Sequence, residues 1–126
     1  TNWNAQCAKP YFTYSSERLV KLFESYTIKG VTISAPGFYG PQGRVLRLPL
    51  ADAYLNEKIE SFSFNGKRIT NFEMESSAIK GLSKLMGHDS VTICAIIANR
   101  VVKDATKDYQ PAIKNLIEQT LIKLTE

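Results

Sequence analysis

VTISAPGFYGPQGR, residues 31–44, starts as an alternating strand and breaks at Pro36 into a loop of glycines, prolines and aromatics. Val31 and Ile33 fall on one side of an extended chain, the two-residue period of a half-buried strand. The loop continues to Leu50 and places Phe38, Gln42 and Arg44 directly after that strand. A strand that exits into such a loop, and is followed by helical patterning, reads as a layered α/β fold. In such folds ligands bind beyond the carboxyl ends of the strands.

The pattern repeats outward from this stretch. Upstream, residues 10–14 read as a short strand, and Ser15 and Ser16 offer an N-cap to a helix carrying Leu19, Leu22, Phe23 and Tyr26 at helical spacing. Downstream, Leu55, Ile59 and Phe62 mark a helix over residues 51–61, and Asn65-Gly66 is a tight hairpin signal. Ile69–Phe72 reads as a strand leading into a helix over residues 73–86 that Gly87 closes in a left-handed conformation. The run VTICAIIA, residues 91–98, has the pattern of a strand covered on both faces by helices. Pro111 opens a last helix whose buried stripe is Ile113, Leu116, Ile117, Thr120, Leu121 and Leu124. The expectation is one domain, residues 1–126, with a largely parallel sheet.

Composition narrows the function classes. Hydrophobic residues at 44% and charged residues at 22% suit a globular chain rather than a disordered one. The longest apolar runs fall well short of the ~20 residues a membrane helix needs, and the opening residues lack a charged-then-apolar leader, so a cytoplasmic location is expected. The charge of +4 arises from 16 basic and 12 acidic residues spread along the chain rather than gathered in a stripe, which argues against nucleic acid as partner. Cys7 and Cys94 are too far apart for a zinc motif and read as structural thiols. His88 reads as a solvated loop residue, and no metal-ligand spacing occurs.

Three strand exits carry candidate chemistry. In the first, Gln42 presents a donor and an acceptor in one plane, Arg44 a planar fork of donors, and Phe38 a flat face. That set matches the edge of a pyrimidine bearing two carbonyls and an N–H; the structural alternative is a Gly/Pro surface loop with a solvated Arg44 and Phe38 tucked into the core. In the second exit, Glu73, Met74 and Glu75 open a helix, and a helical wheel places Glu75 on the apolar arc with Ala78, Ile79, Leu82, Leu85 and Met86. A buried carboxylate there needs partners, and sugar hydroxyls would supply them; the alternative is a charge that stabilises the helix N-terminus by roughly 0.3–1 kcal/mol. The third exit is Ala98-Asn99-Arg100.

GVTISAPGFYGPQGR and TNFEMESSAI followed by VTICAIIANRV resemble the C-terminal half of the uridine phosphorylase branch of the nucleoside phosphorylase family. The resemblance covers most of the chain. It implies a three-layer α/β/α sandwich around a mixed, largely parallel sheet, of which this chain would be the C-terminal portion. It also implies reversible phosphorolysis, in which a nucleoside and phosphate give a base and ribose 1-phosphate. By resemblance Phe38 packs on the base, Gln42 and Arg44 read its edge, Ile97 and Ala98 wall the pocket, and Arg100 lies near its polar rim. Glu73, Met74 and Glu75 line the ribose, with Arg44 and Glu75 as the catalytic pair. Purine-cleaving relatives carry a Ser-Asp pair near the last exit, so Ala98-Asn99-Arg100 favours a pyrimidine.

The glycine-containing phosphate loop of the family is absent from this sequence, so the chain is expected to bind a nucleoside weakly and to catalyse poorly alone. It is expected to self-associate or to pair with an N-terminal half. No metal or organic cofactor is expected, only inorganic phosphate as co-substrate. A nucleosidase using water and a non-catalytic nucleoside-binding fragment are the alternatives.

Overall fold

The computed structural model describes residues 4–7, 9–99 and 104–126. It is a mixed α/β structure built around a three-stranded sheet of order β1-β3-β2. Strand β1 (Val31–Ser34) pairs in parallel with β3 (Lys67–Glu73), and β3 pairs antiparallel with β2 (Ser63–Phe64). The sheet is therefore mixed, with one parallel and one antiparallel pairing. A separate hairpin joins β4 (Ala98–Asn99) to β5 (Asp104–Ala105). The helices are α1 (Glu17–Leu22), α2 (Leu55–Ser61), α3 (Ser76–Met86) and α4 (Gln110–Thr125). Among the described residues no helix is long and apolar enough to cross a membrane.

Local signals set most of the boundaries. Ser16 caps α1 by accepting a hydrogen bond from Leu19 N at 3.4 Å, and α1 stops at Phe23, short of the expected Tyr26. Asn65 and Gly66 turn the β2–β3 hairpin with φ of 49° and 74°, the left-handed pair that a two-residue hairpin demands. Gly87 closes α3 at φ 72°, and Pro111 lies in the first turn of α4. Helix α2 begins at Leu55 rather than residue 51. Asp52 instead forms a turn there, its side chain accepting from Tyr54 N at 3.0 Å and from Lys58 Nζ at 2.7 Å.

Four expectations are corrected, all of which depended on distant partners. Residues 10–14 form no strand; Pro10 lacks an N–H, and aromatic contacts hold the segment instead. Phe12 stacks on Phe64 at 5.1 Å and Tyr11 Oη donates to Ser77 O at 2.7 Å. Residues 91–97 are not a covered strand: among the described residues the segment forms no strand, Ile97 O accepts from Thr106 N at 2.9 Å beside the β4–β5 pairing, and Ile96 is 61% exposed. In α3 the inward face is small and polar, with Ser76 buried and Ser77 and Lys80 half-buried, while Ile79, Leu82, Leu85 and Met86 face out. Helix α4 likewise half-buries Ile113, Leu116 and Thr120 but exposes Ile117, Leu121 and Leu124.

The result is an open body. The chain exposes 9984 Å², against roughly 6,700 Å² for a closed monomer of its 14.1 kDa mass. The buried apolar residues among those described are Phe23, Ala35 and Leu55. A concavity of about 3070 Å³, lined by Phe12, Tyr26, Ile33, Phe62, Ile69 and Ile93 among others, exceeds the roughly 300–1,000 Å³ of small-molecule pockets.

Gly66→Ala is expected to destabilise the chain by about 1 kcal/mol, because the left-handed φ penalises any Cβ although nothing crowds it. Gly40→Ala, with open space and no such φ, should change the urea midpoint little. Equal shifts in the two midpoints would remove the turn as the cause.

Candidate functional site

The parallel pairing of β1 and β3 brings their carboxyl ends together, with Ser34 opposite Glu73. Ala35 N continues the ladder by donating to Glu73 O at 2.9 Å. The loop after β1 and the helix start after β3 therefore emerge side by side, as expected for a site at strand ends.

The loop is ordered by its own hydrogen bonds. A 3-10 turn over Gly40–Gln42 is followed by Gly43 at φ 72° and ψ 22°. Tyr39 O accepts from both Gln42 N and Arg44 N at 3.0 Å, and Gly43 N donates to Gly40 O at 2.8 Å. Within this frame Phe38, Gln42 and Arg44 come together. Arg44 Nη1 donates to Gln42 Oε1 at 2.6 Å and to Phe38 O at 2.5 Å, and the guanidinium lies 3.7 Å from the Phe38 ring centroid. Tyr39 meets Phe38 edge-on at 5.3 Å. Gln42 is 4% exposed and Phe38 50%, so these side chains range from a buried amide to an open aromatic face. The structural alternative of a freely solvated Arg44 does not hold.

At the second exit the roles of the two carboxylates are exchanged relative to expectation. Glu73 ends β3 rather than opening the helix, and it is Glu73 that stabilises the helix N-terminus. Its Oε2 accepts from Glu75 N at 2.9 Å and Ser76 N at 2.6 Å, and its Oε1 from Ser76 Oγ at 2.6 Å. Burial opposes the charge of Glu73, but the hydroxyl and amide of Ser76, the amide of Glu75 and the hydroxyl of Ser34 outweigh it and hold the pKa below the ordinary carboxylate value. Glu75, expected to be buried on the apolar arc, is exposed at the N-cap of α3, where its Oε2 accepts from Met74 N at 3.1 Å. Met74 is exposed beside it.

Ile97 and Ala98 lie exposed at the start of the β4–β5 hairpin. Arg100, with Lys103 and Trp3, falls outside the described residues. Sequence patterning did not single out Lys80, which sits on the half-buried face of α3 and donates to Ser15 Oγ. Burial pulls its pKa down while Glu73 partly restores it. Ser34 was equally silent, yet its Oγ accepts from Ser77 N at 3.1 Å and ties the β1 end to α3. A serine at a strand's last position next to a loop was the available signal. No group of three or more His, Cys, Asp or Glu that could hold a metal occurs among the described residues.

A curated uridine phosphorylase from Thermococcus kodakarensis is 33% identical over 98 residues, covering 71% of this chain and 32% of that protein. The chain thus spans about a third of the length of the curated relative it matches. No family model matches the chain, and no solved structure matches it.

Because the folded pKa of Glu73 is depressed, its stabilisation is present above the unfolded value near 4.5 and is lost as pH falls through the lower folded value. Glu73→Gln is expected to lower stability at neutral pH and to flatten the acid limb of a urea-midpoint profile. An unchanged acid limb would contradict the capping role.

Proposed function

We propose that this chain is the base- and ribose-binding portion of a nucleoside phosphorylase acting on uridine or a related pyrimidine nucleoside. In this reading the chain is the C-terminal part of an α/β/α sandwich, and the phosphate-binding residues lie outside it. The observation that carries the reading is the adjacency of two motifs. Phe38, Gln42 and Arg44 follow β1, Glu73-Met74-Glu75 ends β3, and the Ala35–Glu73 hydrogen bond holds the two together. The similarity to a uridine phosphorylase supports the same class.

The chemistry follows from charge development. Cleavage of the glycosidic bond leaves negative charge on the departing pyrimidine and positive charge on the ribose. Donors from Arg44 and Gln42 at the base oxygens therefore gain strength in the transition state. Arg44 must first leave the Phe38 face, exchanging the Phe38 and Gln42 oxygens for those of the base. Phe38 then stacks on the pyrimidine ring. Glu75, exposed at the exit, accepts from ribose hydroxyls and offsets oxocarbenium charge. Glu73 is committed to α3 and serves the ribose site by orienting Met74 and Glu75. Inorganic phosphate is the only co-substrate in this scheme.

The exposed apolar concavity supports association with the remaining part of the fold or with another copy. Sedimentation velocity is expected to show self-association that grows with concentration; a monodisperse monomer at high concentration would oppose it.

The functional test pairs calorimetric binding of uridine with an ultraviolet assay with and without phosphate, using inosine for comparison. Uridine is expected to bind and inosine not, with any turnover dependent on phosphate. Turnover without phosphate would indicate a hydrolase. Arg44→Ala should weaken uridine binding by about tenfold or more, since a charged donor to the base is lost. Arg68→Ala, an exposed control whose Nη2 donates to Glu60 O at 3.3 Å, should stay within about twofold. Equal effects would take Arg44 out of the site.

A further inference from the structure

We infer that Asn56 is the positioning residue of the pyrimidine-reading loop, fixing Gln42 and Arg44 relative to each other from outside the loop. This inference rests on the base-site reading of Phe38, Gln42 and Arg44. Asn56 sits in the first turn of α2, shortly after the loop ends at Leu50, and its Nδ2 donates to Gly43 O at 2.9 Å. Gly43 is the residue between Gln42 and Arg44. It is buried, its left-handed φ of 72° turns the chain, and a methyl group added there would overlap the Asn56 amide. Gly43 is thus required twice, once for backbone conformation and once for the approach of Asn56.

The other turn bonds, from Gln42 N, Gly43 N and Arg44 N, all end on Tyr39 O or Gly40 O, inside the loop itself. They shape the turn but do not tie it to the rest of the chain. Asn56 supplies such a tie, and α2 is itself anchored. Leu55 is buried, and the nearby Asp52, itself buried, pairs with Lys58 at 2.7 Å. The tie therefore runs from α2 to the carbonyl between the two recognition side chains. Loss of the Nδ2 donor leaves the Gly43–Arg44 peptide with the bond from Arg44 N to Tyr39 O but without its tie to α2, and loosening there changes the aim of Arg44 relative to Gln42.

The test uses the whole chain as Asn56→Ala and Asn56→Asp, with Glu57→Ala as a control on the same helix. The aspartate keeps the size of Asn56 but turns a carboxylate toward the Gly43 carbonyl, so it separates a donor role from a packing role. Hydrogen exchange of the amides in residues 39–44 should accelerate about fivefold to tenfold in both Asn56 variants, the effect of one neutral hydrogen bond, with α4 unchanged. Affinity for uracil, read by calorimetry, should fall by a similar factor, about fivefold to tenfold, while that for ribose 1-phosphate stays the same.

Native-like exchange in the turn, a native-like aspartate variant, or faster exchange across the whole chain would each overturn the inference. If the unmodified chain binds neither uracil nor uridine, the base-site reading fails. The exchange comparison still decides whether Asn56 holds the turn.

Discussion

The parallel pairing of β1 with β3 is the constraint on which the rest of the structure depends. An antiparallel arrangement would send the loop after Ser34 and the chain after Glu73 to opposite ends of the sheet. In parallel they leave together, and the register Ser34 opposite Glu73 brings the first loop amide onto the last strand carbonyl. The pairing also explains Gly30, just ahead of β1, because any side chain there would overlap Thr70. A register irregularity between Val31 and Thr32 follows directly, so the close approach and the bulge occur at the same edge.

From this pairing the two carboxylates receive different tasks. Glu73 accepts three hydrogen bonds at the start of α3, so its charge is engaged by the fold. Glu75, two residues on, has left the strand and lies open to solvent with one local amide on its carboxylate. The loop shows the same economy with opposite charge. Arg44 rests on Phe38 and on two oxygens of its own loop, a cation–π contact worth about 0.5–1 kcal/mol at an exposed site. A flat ligand offering carbonyl oxygens and a ring face presents Arg44 and Phe38 with equivalent partners. In the proposed reading these are the interactions the loop would trade for a base.

What was legible in the sequence was what local chemistry decides. Ser16, Asn65-Gly66, Gly87 and Pro111 act within a few residues of themselves, and each marks the boundary its type implies. Phe38, Gln42 and Arg44 were legible as a group because one short turn holds them. Residues 91–97 and the outward arc of α3 were misread because apolarity specifies burial only when an opposing surface is present. Glu75 was placed on a buried face by extending the helix back to Glu73; the capping bonds of Glu73 start that helix later. Asn56 carries no motif, and its significance appears only when a glycine carbonyl comes within reach.

The contrast between the site and the body around it has a physical consequence. Although much apolar surface is open to solvent, Ala35, Gln42, Gly43 and Ser76 are buried at the strand ends. Short-range hydrogen bonds set the geometry of the candidate site around them: onto Tyr39 O in the loop, onto Glu73 at the helix start, from Ser77 N to Ser34 Oγ between them, and from Asn56 of α2. Such bonds are individually small and exposed to competition from water, so an open chain keeps the arrangement of the site without its full rigidity. Closing the concavity would remove water from these bonds and stiffen every one of them together. In the proposed reading, recognition at the loop and completion of the fold would therefore be coupled through the same set of contacts at the ends of β1 and β3.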